Sequence, residues 1–109
     1  MEIKQREQTG FIIFDLKGHL DTTTAPEVEV EISKKIGEGE KKIIVNLSDV
    51  DYISSSGLRV LLATLKELKK DGGILKIFGL NETVQEIFDI SGFSVIFDLF
   101  KDEKEALKD

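Results

Sequence analysis

Asp49-Val50-Asp51-Tyr52-Ile53-Ser54-Ser55-Ser56-Gly57 runs straight into Leu58, Leu61, Leu62, Leu65 and Leu68. That leucine spacing predicts about three turns of helix with a single apolar face. Lys66, Lys69 and Lys70 fall at the C-terminal end, where the helix dipole favours cations, and Asp71-Gly72-Gly73 stops it. Upstream, Lys42-Ile43-Ile44-Val45-Asn46-Leu47 is a β-branched run with little alternation, the pattern of a strand buried on both faces. A buried strand leading into an amphipathic helix is the first half of a βαβ unit. This stretch therefore decides the fold class.

The rest of the chain extends the alternation. Downstream, residues 74–78 read as a strand, and Asn81 caps a helix carrying Val84, Ile87 and Phe88. A short strand is expected around Val95-Ile96-Phe97. A charged helix follows from about Asp102, with Ala106 and Leu107 on its inner side. Upstream, Thr22-Thr23-Thr24-Ala25-Pro26-Glu27 reads as a helix entrance, with Thr24 and Glu27 at capping-box spacing and Pro26 in the first turn. Val28, Ile32 and Ile36 continue that helix, and Gly37 or Gly39 ends it. Phe11 to Leu16 suits a central strand. Met1, Ile3 and Gln5 alternate with charged residues as an edge strand does, and the link Gln8-Thr9-Gly10 implies a hairpin.

The order β-β-α-β-α-β-α-β-α predicts an α/β fold with an open, mostly parallel sheet and an antiparallel N-terminal edge strand. Residues 1–109 read as one domain. Right-handed crossovers would gather residues 21–24, 49–57 and 80–83 on the C-terminal edge of the sheet, where open α/β sheets carry function.

Composition narrows what that edge can do. The chain has 15 basic and 21 acidic residues, a net charge of −6, one His and no Cys. Without Cys there is no disulfide framework, thiolate nucleophile or Cys-ligated metal, and one His cannot build a multi-histidine site. The acidic balance argues against nucleic acid and anionic membranes. No window approaches a membrane span, and the opening MEIKQREQ does not read as a signal peptide. A cytoplasmic protein is expected.

Several chemistries can be weighed on the edge. A serine at a helix N-terminus most simply caps it, stabilising by about 1 kcal/mol, and one serine suffices for that. A nucleophilic role is disfavoured because no Gly lies two residues before any of the three serines, so the elbow motif is missing. His19 is the one possible imidazole base, with Asp15 or Asp21 conceivable as its orienting group, yet the spacing supports no triad. Asp49 and Asp51, with Asp21 across the edge, could hold Mg²⁺ or Ca²⁺ weakly, but turn aspartates are ordinary turn formers. Asn46, inside a buried strand, needs a hydrogen-bond partner, most simply backbone in the following loop. Neither a catalytic residue, a metal nor a cofactor is expected.

The stretch from Asp49 to Leu62 resembles the signature of the STAS domain, and more narrowly of bacterial anti-sigma factor antagonists. Gly18-His19-Leu20-Asp21 with Thr24-Ala25-Pro26, Lys42 to Leu47, and Gly92-Phe93 to Phe97 extend the resemblance over nearly the whole chain. It implies a substrate and binding module, not an enzyme. The unphosphorylated form would bind an anti-sigma factor that is also a serine/threonine kinase, freeing the sigma factor. Phosphorylation of a serine at this helix start would end binding, and a serine phosphatase would reset it. By motif position the acceptor is Ser55, with Ser56 the second choice, because Ser54 stands where the family's pattern has Asp. The implied partner surface comprises Asp21, Thr22, Thr23, Thr24, Ser54, Ser55, Ser56, Gly57 and Arg59, on a chain that is a monomer when free. Two other classes stay open: a STAS scaffold or regulatory subunit of a larger or membrane-transport complex, and a nucleotide- or small-ligand-binding STAS domain.

Overall fold

A computed structural model describes residues 1–108. Its elements are β1 (Glu2–Gln8), β2 (Phe11–Leu20), α1 (Ala25–Gly37), β3 (Lys42–Ile53), α2 (Ser55–Lys70), β4 (Ile74–Phe78), α3 (Glu82–Ile90), a 3₁₀ turn (Phe93–Val95), β5 (Asp98–Phe100) and α4 (Glu103–Ala106). The sheet order is β1-β2-β3-β4-β5, with β1 antiparallel to β2 and the other pairs parallel. The β1–β2 hairpin turns on Thr9 at φ 47° and Gly10 at φ 88°. That left-handed pair suits the twist of a tight hairpin.

Because each crossover is right-handed and steps the same way across the sheet, α1, α2 and α3 stack on one face. Val28 and Ile32 of α1, Leu58, Leu61, Leu65 and Leu68 of α2, and Val84 and Phe88 of α3 join Ile12, Phe14, Leu16, Ile43, Val45, Leu47 and Ile77 in the main core. The other face carries a smaller cluster of Phe11, Ile13, Ile44, Phe78 and Ala106, covered by α4.

Four elements differ from the sequence expectation. Residues 17–20 and 49–53, read as exits and loops, instead prolong β2 and β3 as a paired ribbon, with register shifts between Asp15/Lys17 and Gly18/His19. Those bulges place Leu47, Val50 and Ile53 inward at intervals of three, which conceals the strand from a period-two reading. The last strand is Asp98–Phe100, paired with β4, and Val95 and Ile96 are exposed in and after the 3₁₀ turn. Finally, α2 runs 16 residues, about four turns, beyond the leucine repeat.

Candidate functional site

The start of α2 is fixed against the end of β2. Ser54 is extended (φ −94°, ψ 174°), and its backbone N–H donates to the Leu20 carbonyl at 2.9 Å. Its Oγ accepts from the Gly57 N–H at 3.3 Å, the expected cap. Gly57 is needed there for space: a Cβ would come within 2.8 Å of the Ile53 side chain, the Leu20 side chain and the Leu20 carbonyl. It is buried beneath the edge and sets how closely helix and strand approach.

This anchoring gives the three serines different roles. Ser54 caps. Ser56 Oγ lies 3.1 Å from Thr22 Oγ1, joining the α2 start to the α1 approach. Ser55 is exposed, and among the described residues its hydroxyl makes no hydrogen bond. It stands at the first position of a long helix whose first turn holds no acidic residue.

The approach to α1 is organised by Asp21, and the capping box of Thr24 and Glu27 does not form. Asp21 Oδ1 accepts from the backbone N–H groups of Thr23 (3.0 Å) and Thr24 (3.1 Å). Thr24 Oγ1 donates to the His19 carbonyl at 2.7 Å and accepts from the Asp21 N–H at 2.9 Å, so it is committed to the turn. The Thr24 N–H bond leads in holding the Asp21 carboxyl below its ordinary range, with Thr23 N–H, the Thr24 hydroxyl and nearby His19 adding to it. Thr22 and Thr23 remain exposed.

Two grooves flank α2. One, of about 400 Å³, is lined by Thr22, Ala25, Pro26, Ser56, Arg59 and Ala63 among others. The second, of about 340 Å³, is lined by Ser55, Leu58, Arg59, Leu62, Ser91 and Phe93. Arg59 borders both, is exposed, and makes no ion pair among the described residues. The sequence reading missed the second groove. Leu62 belongs to the leucine repeat but is only half-buried, and Phe93 sits after Gly92, whose φ of 77° turns the chain away from α3.

The other candidates resolve differently. His19 Nδ1 lies 2.6 Å from Asp51 Oδ1, both side chains exposed, so the carboxylate beside it is Asp51 and neither of the conceivable Asp15 and Asp21. Among the described residues no hydrogen bond links His19 to a serine side chain, and no group of three or more His, Asp or Glu could hold a metal ion. Asn46 finds its backbone partner, accepting from the Ser48 N–H at 2.9 Å, and also donates to Asp15 at 2.7 Å. No helix among the described residues is long and apolar enough to cross a membrane.

Comparison with known proteins agrees with this fold. The STAS domain model matches residues 2–106. BtrV of Bordetella bronchiseptica, described as an anti-sigma factor antagonist, is 34% identical over 106 residues, covering 97% of this chain and 91% of that protein. A Thermotoga maritima structure, described likewise, superposes with a TM-score of 0.92 at 23% identity, covering 96% and 91% of the two chains. The Bacillus cell fate determinant SpoIIAA in its phosphorylated form gives a TM-score of 0.73 at 22% identity, covering 94% and 95%. The chain belongs to the STAS domain family.

Proposed function

We propose that this one-domain protein is an anti-sigma factor antagonist whose binding is switched by phosphorylation of Ser55. In this reading the unphosphorylated form, a cytoplasmic monomer when free, binds an anti-sigma factor serine/threonine kinase. Phosphorylation then ends the contact, and a serine phosphatase restores it. The observation that carries the reading is the division among the serines: Ser54 and Ser56 are engaged, and Ser55 alone offers an exposed, unbonded hydroxyl. The name of the Bordetella relative and the phosphorylated state of the Bacillus protein support it.

The physics of the switch follows from position. A phosphate on Ser55 adds about −1.5 to −2 charge beside the free N–H groups and positive dipole end of α2, which tolerate it. Arg59 lies four residues on, the helical spacing at which opposite charges meet. The fold therefore survives phosphorylation, and the penalty falls on the partner, which loses fit and the use of Arg59. A loss of 3–4 kcal/mol weakens binding by roughly two to three decades. The sheet order also favours a protein-binding edge over a ligand cleft. Strands β2 to β5 follow one another without a reversal, so the parallel region has none of the switch-point crevices in which α/β sheets hold small ligands.

The test is incubation with ATP and each serine-kinase anti-sigma factor of the source bacterium, followed by phosphosite mapping. Ser55→Ala should bind persistently with ATP present. Ser55→Asp should fold and bind weakly. Stoichiometric phosphorylation of Ser55→Ala would move the acceptor elsewhere, first to Ser56, and equal binding by both variants would indicate a scaffold.

A further inference from the structure

The two most exposed large apolar side chains among the described residues, Val95 at 90% and Ile90 at 79%, lie within one short segment beside the second groove, together with Ile96 at 44%. Ile90 falls two residues past the buried Phe88, on the opposite side of α3, so helical periodicity directs it to solvent. The segment is not loosely attached. Phe97 packs edge-on against Phe88 (5.8 Å between centroids) and at a tilt against Phe93 (5.7 Å), while the Ile96 and Phe97 N–H groups donate to the Phe93 carbonyl. Exposed aliphatic side chains on so well anchored a segment are a cost in water unless something covers them.

Charge indicates what covers it. Between Lys76 and Lys101 the chain has no Lys or Arg, but it has Glu82, Glu86, Asp89 and Asp98, all exposed. A second copy would bring the same acidic frame against itself, and an anionic membrane or nucleic acid would be repelled. The complementary surface is apolar at its centre and edged with Lys or Arg. Position indicates which partner carries it. Ser55, Ser91 and Phe93 line the same groove, so a protein that reaches the Ser55 hydroxyl from that side also meets Ser91 and Phe93.

We propose that Ile90, Phe93 and Val95, with Leu62, form a constitutive apolar arm of the interface for the anti-sigma factor that contacts Ser55, and that this arm docks on a basic-rimmed apolar surface of that partner. This rests on the Ser55 reading. In that arrangement the arm supplies affinity that phosphorylation does not touch, and the Ser55 end supplies the switch.

The experiment measures binding of the full chain to the purified serine-kinase anti-sigma factors of the source bacterium. Ile90→Ser/Val95→Ser is compared with Ser55→Asp and the unsubstituted protein. Both substituted residues are exposed, so the thermal midpoint should not move. The double variant should bind at least tenfold more weakly. Val95→Lys should lose more than Val95→Glu, because only the former opposes a basic rim. Binding by the double variant within twofold of the unsubstituted protein, while Ser55→Asp binds weakly, would overturn the arm and leave the Ser55 reading intact. Failure of every anti-sigma factor to bind the unsubstituted protein would overturn both. A dimer of the unsubstituted protein that dissociates in the double variant, with partner affinity unchanged, would assign the patch to self-association and overturn the proposal.

Discussion

The two faces of the sheet are held by different forces. On one, three helices press leucine, isoleucine and phenylalanine side chains into a continuous core. On the other, a four-residue helix covers a small apolar cluster and is fastened by charge. Arg6 donates from Nε and Nη2 to Asp15 at 2.7 and 3.1 Å, and from Nη2 and Nη1 to Glu103 at 2.6 and 3.0 Å, tying β1, β2 and α4 together. Lys76 Nζ donates to the Ala106 and Lys108 carbonyls at 2.7 and 3.2 Å, and lies over the rings of Phe11 and Phe100. The difference shows two ways of covering the faces of one sheet. Where an element buries little area, directional polar contacts hold it in register.

Truncation across the two faces gives the largest expected effect. Phe88→Ala, in the helical face, should cost about 3–5 kcal/mol in denaturant unfolding. Phe100→Ala, half-buried under α4, should cost roughly 1–2 kcal/mol. Equal costs would erase the distinction.

An intermediate effect comes from the clasp and depends on pH. Hydrogen bonds from Arg6 lead in lowering both the Asp15 and the Glu103 carboxyl below their ordinary values. Groups depressed in the folded state stabilise it above their unfolded pKa, near 4, and lose that contribution as pH falls through the folded values. Arg6→Met should therefore destabilise by about 1 kcal/mol at pH 7, since the ions are partly exposed. The gap should begin to shrink as pH falls below about 4, close once both carboxyls are protonated in the folded state, and narrow in 1 M salt. A gap independent of both pH and salt would mean that the Arg6 stem, through packing, does the holding.

The smallest effects test the edge between the faces. Ser54→Ala removes a cap and should cost about 1 kcal/mol, whereas Ser55→Ala should stay within about 0.5 kcal/mol. The reverse order in thermal unfolding would contradict the roles assigned to the two hydroxyls.

The helical face was legible in the sequence because its signals are local: the repeat from Leu58 to Leu68, the Asn81 cap (Oδ1 accepting from Val84 N–H at 2.8 Å), and Val28 with Ile32. What escaped depends on contacts distant in the chain. The bulged ribbon of 17–20 and 49–53 breaks period-two alternation, so Val50 and Ile53 read as loop. Val95-Ile96-Phe97 is a β-branched and aromatic triplet, but only Phe97 is buried, and backbone pairing with Lys76, Ile77 and Phe78 begins at Asp98. The Thr24 hydroxyl was expected to cap α1. Its capture by the His19 carbonyl, with Asp21 taking the N–H groups, is a choice between neighbours that spacing does not distinguish. At the site, the serine run was visible, but its sorting required Thr22 and Leu20 to arrive from another strand exit.

In the proposed switch, the close approach at Gly57 makes the serine run an address that exists only in the folded chain. A peptide of residues 49–59 would carry all three hydroxyls, but it would lack the Leu20 carbonyl that holds Ser54 and the Thr22 hydroxyl that engages Ser56. The serines would then be interchangeable. A kinase selecting Ser55 by its surroundings, as proposed, would read a corner assembled from two strands, a loop and a helix, and an unfolded copy of the protein would present it with nothing to recognise.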